Sequence, residues 1–169
     1  AAKDPELNRK IPKDIDTGDI KQRSQYAKVF RVVDGDQTKL YIFPVHGKGL
    51  WSTLYGFIAL ADNLDTVQGI GFYEHAETPG LGGEVDNPKW KNSWNGKEVY
   101  GEGLDVSLKV VKGSVAPSDP NFEHKIDGLS GATITANGVS GMVKYWFGKD
   151  GFKPYIKNIK KERKVSEPS

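Results

Sequence analysis

Short runs rich in β-branched and aromatic residues, separated by tight turns, follow one another in the first half of the chain. Two of these runs flank the turn Asp34-Gly35-Asp36, a pattern that predicts a β-hairpin. Consecutive short strands joined by tight turns favour an antiparallel sheet. The expected strands are Lys28 to Val33, Lys39 to Val45, Trp51 to Ala61 and Val67 to His75.

A helical pattern marks the second half. Five apolar residues recur at i, i+3, i+4, i+7 and i+8, which places them on one helix face. Thr135 or Asn137 can cap the start of this helix and Gly148 can end it, so we expect it to cover Asn137 to Phe147. Shorter helices are expected at Pro88 and after Pro154, with a further strand at Val106 to Val111. The fold class that follows is α+β, a twisted and mainly antiparallel sheet with helices packed on it. The five apolar residues are Val139, Met142, Val143, Trp146 and Phe147.

The length of 169 residues fits one domain. Residues 1–24 are polar and poorly periodic, and we interpret them as a loosely attached leader with one short helix. Residues 25–164 are expected to form the domain, and residues 165–169 a disordered tail. The chain starts at Ala1 rather than Met, so the leader looks trimmed.

The composition argues against several functions. The 24 basic and 22 acidic residues give a net charge of +2, and no basic stripe is interleaved with aromatics, so nucleic acid is not an expected partner. The absence of cysteine excludes disulfides, thiolate catalysis and iron–sulfur ligation. The three histidines, His46, His75 and His124, are scattered, and no paired carboxylates stand out, so we expect neither catalytic residues nor a metal site.

A stretch of small and hydroxylated residues leads into the long helix. A helix start offers unpaired N–H groups and a partial positive charge, which together stabilise an anion. Ser130, Thr133 and Thr135 add hydroxyls that can donate to phosphate oxygens or accept a covalent phosphate. From residue types alone, Ser130 and Thr135 suit simple helix capping equally well, so both interpretations stay open.

The segment Asp127 to Thr135 also resembles the flavinylation motif of the FMN-binding domain family, Asp-x-x-Ser/Thr-Gly-Ala-Thr. The resemblance implies FMN joined through its phosphate to Thr133, with Thr135 as the alternative acceptor. The resemblance also implies that a separate flavin transferase, which cleaves FAD, makes this phosphoester. Asp127, Ser130, Gly131 and Ala132 would belong to the recognised segment. Asp127 would help to place the transferase's metal, or serve only as a turn residue before Gly128.

Three further segments strengthen the resemblance, which runs from about Val29 to Ile159. Together the four motifs resemble the C subunits of the sodium-translocating NADH:quinone reductases. The three segments are His46-Gly47-Lys48-Gly49-Leu50-Trp51, Glu77-Thr78-Pro79-Gly80-Leu81-Gly82-Gly83-Glu84 with Asn87-Pro88-x-Trp90, and Gly138-Val139 through Trp146-Phe147-Gly148 with Gly151-Phe152.

This family implies a role for each segment. The loop with Thr78, Gly80 and Gly82 would offer backbone groups to the polar edges of the flavin. Leu81 and Trp51 would offer apolar area to the ring, although Trp51 equally suits the core. Lys48 and Lys112 are candidates for the phosphate or the ring edge, with solvated side chains as the alternative.

As implied by the resemblance, the domain carries electrons within a sodium-pumping complex and has no substrate site of its own. Its partners would be the other subunits of that reductase. A missing N-terminal anchor would hold it to the bacterial inner membrane, facing the periplasm. The alternatives are the equivalent G subunit of an Rnf-type ferredoxin:NAD complex and a non-redox binding module.

Overall fold

The computed structural model describes residues 7–166, which form an α+β domain with three small sheets. The central sheet has four antiparallel strands in the order β3-β4-β5-β6, and β1 pairs with β2 antiparallel, whereas β7 and β8 form a short parallel pair. The strands are β1 (Asn8–Lys10), β2 (Gln22–Ser24), β3 (Phe30–Asp34), β4 (Gln37–Lys48), β5 (Thr53–Ala61), β6 (Val67–Glu74), β7 (Lys109–Val110) and β8 (Lys125–Ile126). The helices are α1 (Pro88–Asn92), α2 (Thr133–Trp146) and α3 (Lys153–Ser166), with 3-10 turns at Gly82–Asp86, Glu102–Leu104 and Phe122–His124.

The core lies between the central sheet and α2. Alternate residues of β4 point to the same face of the sheet, and Phe43 on that face is fully buried. Its ring meets those of Phe147 and Phe152 at centroid distances of 5.3 and 4.9 Å. At Gly47 an added Cβ would lie 2.8 Å from the Cβ of Met142, so the missing side chain lets α2 approach the strand.

Most predicted elements are present. The hairpin is β3 with β4, the two following strands are β5 and β6, and Asn87 caps α1 through its side-chain oxygen. The strand predicted at Val106 to Val111 is shorter, because only Lys109–Val110 pairs with β8.

The predicted start of the long helix is wrong. Helix α2 begins at Thr133 rather than Asn137, and its N-cap is Ala132, which provides no side-chain hydrogen bond. Neither Thr135 nor Asn137 caps it, because both lie inside the helix.

The leader differs from the expectation in the part that is described. Residues 8–24 contain the short strands β1 and β2 and no helix, and they contact the domain, because the Thr17 hydroxyl donates to the Gly141 carbonyl and the Lys48 amide donates to the Gly18 carbonyl, both at 2.8 Å. Arg23 is only 8% exposed, its guanidinium lies 5.0 Å from the centre of the Trp146 ring, and it donates to the carbonyl of Asp150 at 2.6 Å. At the other end, residues 165 and 166 close α3, and residues 167–169 lie outside the described range.

None of the helices formed by residues 7–166 is both long enough and apolar enough to cross a membrane.

Candidate functional site

Glu77 joins two of the segments that the sequence singles out. Its carboxylate, on a residue only 5% exposed, accepts hydrogen bonds from the backbone N–H groups of Leu50, Trp51 and Ser52 at 3.2, 3.0 and 3.0 Å. It also accepts from the hydroxyl of Thr135 at 2.6 Å. Residues 49–52, the Trp51 loop, are thereby tied to residues 130–135, the Thr133 turn.

Ionisation of Glu77 is favoured in this setting. Burial opposes the charged form, but hydrogen bonds from Thr135 and from the amides of Trp51, Ser52 and Leu50 outweigh it and lower the pKa of the carboxyl from 4.5. The group is therefore a carboxylate at neutral pH, and its hydrogen bonds are charge-assisted.

The two candidate acceptor threonines occupy opposite environments. Thr135 is 1% exposed and its hydroxyl is bonded to Glu77. Thr133 is exposed as the first residue of α2, and among residues 7–166 no hydrogen bond engages its hydroxyl. The N–H groups of a first helical turn lack intrahelical partners, so the helix start favours negative charge beside Thr133.

The Thr133 turn is shaped by Gly131, which has a φ of +69°. In this left-handed region glycine pays no steric cost. An added Cβ at Gly131 would lie 2.9 Å from Cδ2 of Leu81, so residues 77–82, the Leu81 loop, lie directly against this turn. Ser130 is exposed beside it and Ala132 is buried.

Large apolar side chains are exposed on the three segments. Trp51 is 67% exposed, so the prediction that it could be ordinary core is wrong. Leu81 and Ile134 are 44% and 58% exposed, and Leu50 also faces solvent. Apolar side chains exposed on adjoining segments are typical of a binding surface.

The Leu81 loop holds its shape through its own backbone. The carbonyl of Thr78 accepts from the amides of Leu81 and Gly83 at 3.1 and 2.9 Å, and Gly80 has a φ of +76°. Gly82 is buried, and an added Cβ there would lie 2.6 Å from Oγ1 of Thr135. Thr78, Gly80 and Leu81 are exposed, so their backbone is within reach of a ligand.

His75 links the start of this loop to the 3-10 turn that follows it. Its Nδ1 accepts from the amide of Glu77 at 3.2 Å, so the neutral ring carries its proton on Nε2. Nε2 then donates to Oδ2 of Asp86 at 2.7 Å. The ring thus bridges Glu77, where the loop begins, and Asp86, where the 3-10 turn after it ends.

Asp127 and Lys48 have structural contacts of their own. The Asp127 carboxylate accepts from the amide of Val115 at 2.7 Å, and its carbonyl accepts from the indole of Trp90 at 2.9 Å. The backbone of Lys48 lies against Gly138, where an added Cβ would collide with the Lys48 carbonyl. Because side chains alternate along β4 and those of the odd-numbered residues face α2, the Lys48 side chain leaves the strand on the face away from that helix.

Glu77 and His75 are the site residues that sequence reasoning missed. Apart from the bond between the two, their side-chain hydrogen bonds are with residues 11 to 58 positions away, which no local pattern reveals. The one available signal is the sequence Glu77-Thr78-Pro79-Gly80, in which a charged residue directly precedes a turn at the end of a strand. Lys112, by contrast, is simply exposed.

All three segments lie within the part of the chain that matches a known protein family. The model of the FMN-binding domain family matches residues 49–148, which include the Trp51 loop, the Leu81 loop and the Thr133 turn. The chain is 50% identical over 161 residues to the C subunit of the Na⁺-translocating NADH-quinone reductase of Pseudomonas aeruginosa, covering 95% of this chain and 62% of that protein. It is 44% identical over 160 residues to the C subunit of the same reductase in Vibrio alginolyticus, covering 95% and 61%.

Two solved structures share the fold. NqrC of Shewanella oneidensis superposes with a TM-score of 0.87 at 37% identity, covering 95% of this chain and 72% of that chain. The C subunit of the Na⁺-translocating NADH-quinone reductase from Parabacteroides distasonis superposes with a TM-score of 0.63 at 36% identity, covering 76% and 61%. The chain spans about three fifths of the length of the curated relatives that it matches.

Proposed function

Because the chain belongs to the FMN-binding domain family, we propose that it carries FMN covalently, through a phosphoester to Thr133, and serves as an electron carrier. The observation that carries this proposal is the contrast between the two threonines. Thr133 is exposed at the start of α2, whereas Thr135 is buried and bonded to Glu77.

The residues around Thr133 fit the two halves of FMN. The helix start favours the phosphate without a lysine or an arginine, because unpaired N–H groups point towards it. Trp51 and Leu81 expose flat or branched apolar surface for the ring, and the Leu81 loop exposes backbone groups for its polar edges. The protein's part is to hold and orient the flavin, which supplies the redox chemistry when bound.

Attachment requires one group transfer. The Thr133 oxygen forms a bond to the FMN phosphorus of FAD, the pyrophosphate bond breaks, and AMP leaves with the electron pair. The hydroxyl proton goes to a base of the flavin transferase, since no described side chain is hydrogen-bonded to the Thr133 hydroxyl. Asp127, Ser130, Gly131 and Ala132 form the segment that the transferase would read, and the contact of Asp127 with Val115 holds that segment's first residue in place.

For the whole protein, we base the proposed role on the names of its relatives. The domain would pass electrons among the other subunits of a Na⁺-translocating NADH-quinone reductase, as the names of these relatives imply. A membrane anchor at the N-terminus and a periplasmic position belong to the same proposal. Recovery of the full-length protein with the other reductase subunits from detergent-solubilised membranes would test it.

Intact mass tests the attachment. The protein co-expressed with a flavin transferase should gain the mass of one FMN less one water. Thr133→Ala should abolish this gain and Thr135→Ala should preserve it. Protein made without the transferase is the control and should show the unmodified mass. An adduct on Thr133→Ala together with none on Thr135→Ala would overturn the assignment.

A further inference from the structure

We propose that Glu77 is a positioning residue for the flavin, fixing the Trp51 loop against the Thr133 turn and holding the Thr135 hydroxyl out of reach. This inference rests on the proposed function, because it concerns how the ring and its attachment point are held relative to each other.

The backbone of the Trp51 loop closes on itself through the Gly49 amide, which donates to the Ser52 carbonyl at 2.8 Å, and its next three amides are held by the Glu77 carboxylate. Leu50, Trp51 and Ser52 direct three consecutive amides at Glu77, and the Ser52 hydroxyl adds a fourth bond at 3.1 Å. Consecutive N–H groups that converge on an anion form a compact concave arrangement, and removing the charge weakens the bonds that hold it. The direction of the largely exposed Trp51 side chain is therefore set by its backbone rather than by packing.

Two glycines allow the backbone to pack closely against the Glu77 carboxylate and so restrict its movement. An added Cβ at Gly49 would lie 2.6 Å from Oε1 of Glu77, and one at Gly82 would lie 2.8 Å from Oε2. Backbone on two sides thus packs directly against the carboxylate. Because the Glu77 carboxylate is confined in this way, it fixes the position of the Trp51 loop relative to the Leu81 loop.

The bond to Thr135 connects this arrangement to the attachment point. Thr135 lies two residues after Thr133 in the same helical turn, and its hydroxyl donates to Oε2, which also accepts from Leu50. Glu77 could serve as a base for Thr135, but the 1% exposure of that residue keeps a phosphoryl donor away. The same contact therefore orients the turn and leaves Thr133 as the accessible hydroxyl.

Two substitutions test the Glu77 carboxylate and its bond from Thr135 separately. Glu77→Gln keeps the size of the side chain but leaves one acceptor oxygen in place of two. Thr135→Val keeps the shape of the helix side chain and removes only its bond to Glu77. Asp16→Asn is the matched control, because the Asp16 carboxylate also accepts two backbone bonds, from Ile20 and Lys21 at 2.8 and 2.7 Å, in the segment before β2.

The first measurement uses the protein made without flavin transferase. Hydrogen–deuterium exchange at the amides of residues 50–52 should accelerate in Glu77→Gln and remain unchanged in Asp16→Asn. Equal exchange in the unsubstituted protein and in Glu77→Gln would overturn the proposal. This measurement needs no flavin, so it remains decisive even if the attachment at Thr133 is wrong.

The second measurement uses protein carrying FMN. In Glu77→Gln and Thr135→Val the visible circular dichroism of the flavin should fall towards that of free FMN, and its fluorescence should rise as Trp51 loses its fixed position. A purely structural role would lower the melting temperature without changing these signals in the folded protein. Flavin signals in both variants that match those of Asp16→Asn would overturn the proposal. If the unsubstituted protein gains no FMN, the proposed function fails instead.

Discussion

The hydroxyl of Thr135 donates a 2.6 Å hydrogen bond to the buried carboxylate of Glu77. Two residues earlier in the chain, Thr133 is exposed at the first position of α2. Helical geometry separates neighbouring side chains by about 100° around the axis, so residues two apart point to different sides. This divergence explains why two hydroxyls in one motif have such different access to a reagent.

The two threonines should therefore respond to alanine in opposite ways. Thr133→Ala should lose the FMN adduct and keep its stability, because an exposed hydroxyl without a partner contributes little. Thr135→Ala should keep the adduct and lose about 1–3 kcal/mol of unfolding free energy, because a hydrogen bond to a charged group is removed. Intact mass and urea unfolding check the two halves, and a destabilised Thr133→Ala with a stable Thr135→Ala would contradict the structure.

Removing the charge of Glu77 should destabilise the domain in a pH-dependent way. At pH 7, Glu77→Gln should lose about 1–3 kcal/mol, because the negative charge and one of the two acceptor oxygens are removed. The folded pKa of Glu77 lies below 4.5, so its ionisation stabilises the fold above that pH and this contribution is lost as pH falls through the folded pKa.

The difference between Glu77→Gln and the unsubstituted protein should accordingly shrink in acid. Urea unfolding at pH 7 and at several values below 4.5 measures this difference. A gap that stays constant over this range, or widens in acid, would show that the carboxylate charge does not hold the loop.

Gly82 should tolerate no side chain. In Gly82→Ala the new Cβ would lie 2.6 Å from Oγ1 of Thr135 and 2.8 Å from Oε2 of Glu77, so the Leu81 loop must shift. We expect a loss of about 1–3 kcal/mol, typical of overpacking. Gly69→Ala in β6 is the control, because an added Cβ there meets nothing within 4 Å. Thermal unfolding should separate the two variants, and equal melting temperatures would disprove the close approach.

Gly131→Ala should impair FMN attachment more than stability alone explains. Its φ of +69° imposes a cost of about 1–2 kcal/mol on alanine, and the new Cβ displaces Leu81. Gly35→Ala, with a φ of +58° and nothing within 4 Å, suffers similar strain away from the site. The yield of adduct under limiting transferase should fall in Gly131→Ala and not in Gly35→Ala. Equal yields would mean that the conformation of the turn is irrelevant to attachment.

Arg23 should anchor residues 7–24 to the domain. Arg23→Ala removes a bond to the Asp150 carbonyl and the stacking on Trp146, so limited proteolysis should cleave before residue 25 faster than in the unsubstituted protein. Lys13→Ala, at an exposed position, is the control and should leave the cleavage rate unchanged. Rapid cleavage in the unsubstituted protein would instead support a loosely attached leader.

Much of the fold follows from local patterns. The runs of β-branched and aromatic residues between tight turns, which predict β3 to β6, and the proline after Asn87, which predicts α1, depend on residues close in sequence. The start of α2 could not be predicted in this way, because its N-cap is Ala132, a residue type with no capping group. Residues 7–24 were misjudged for a similar reason, since Arg23 is buried by a partner more than a hundred positions away.

The candidate site, too, could be predicted only in part from local sequence. The position of Thr133 and of the Leu81 loop follows from motifs that are contiguous in sequence. The choice between Thr133 and Thr135 does not, because both are hydroxylated residues beside the same helix start. It depends on Glu77, which lies 58 positions before Thr135, and only the folded chain brings the two together.

Peptide mass mapping of protein matured with a flavin transferase tests the central claim most directly. Trypsin releases Ile126 to Lys144 as one peptide, which contains Ser130, Thr133 and Thr135. We predict that this peptide carries FMN less one water and that fragment ions place the added mass on Thr133. An adduct on Thr135 or Ser130, or an unmodified peptide from matured protein, would contradict the account.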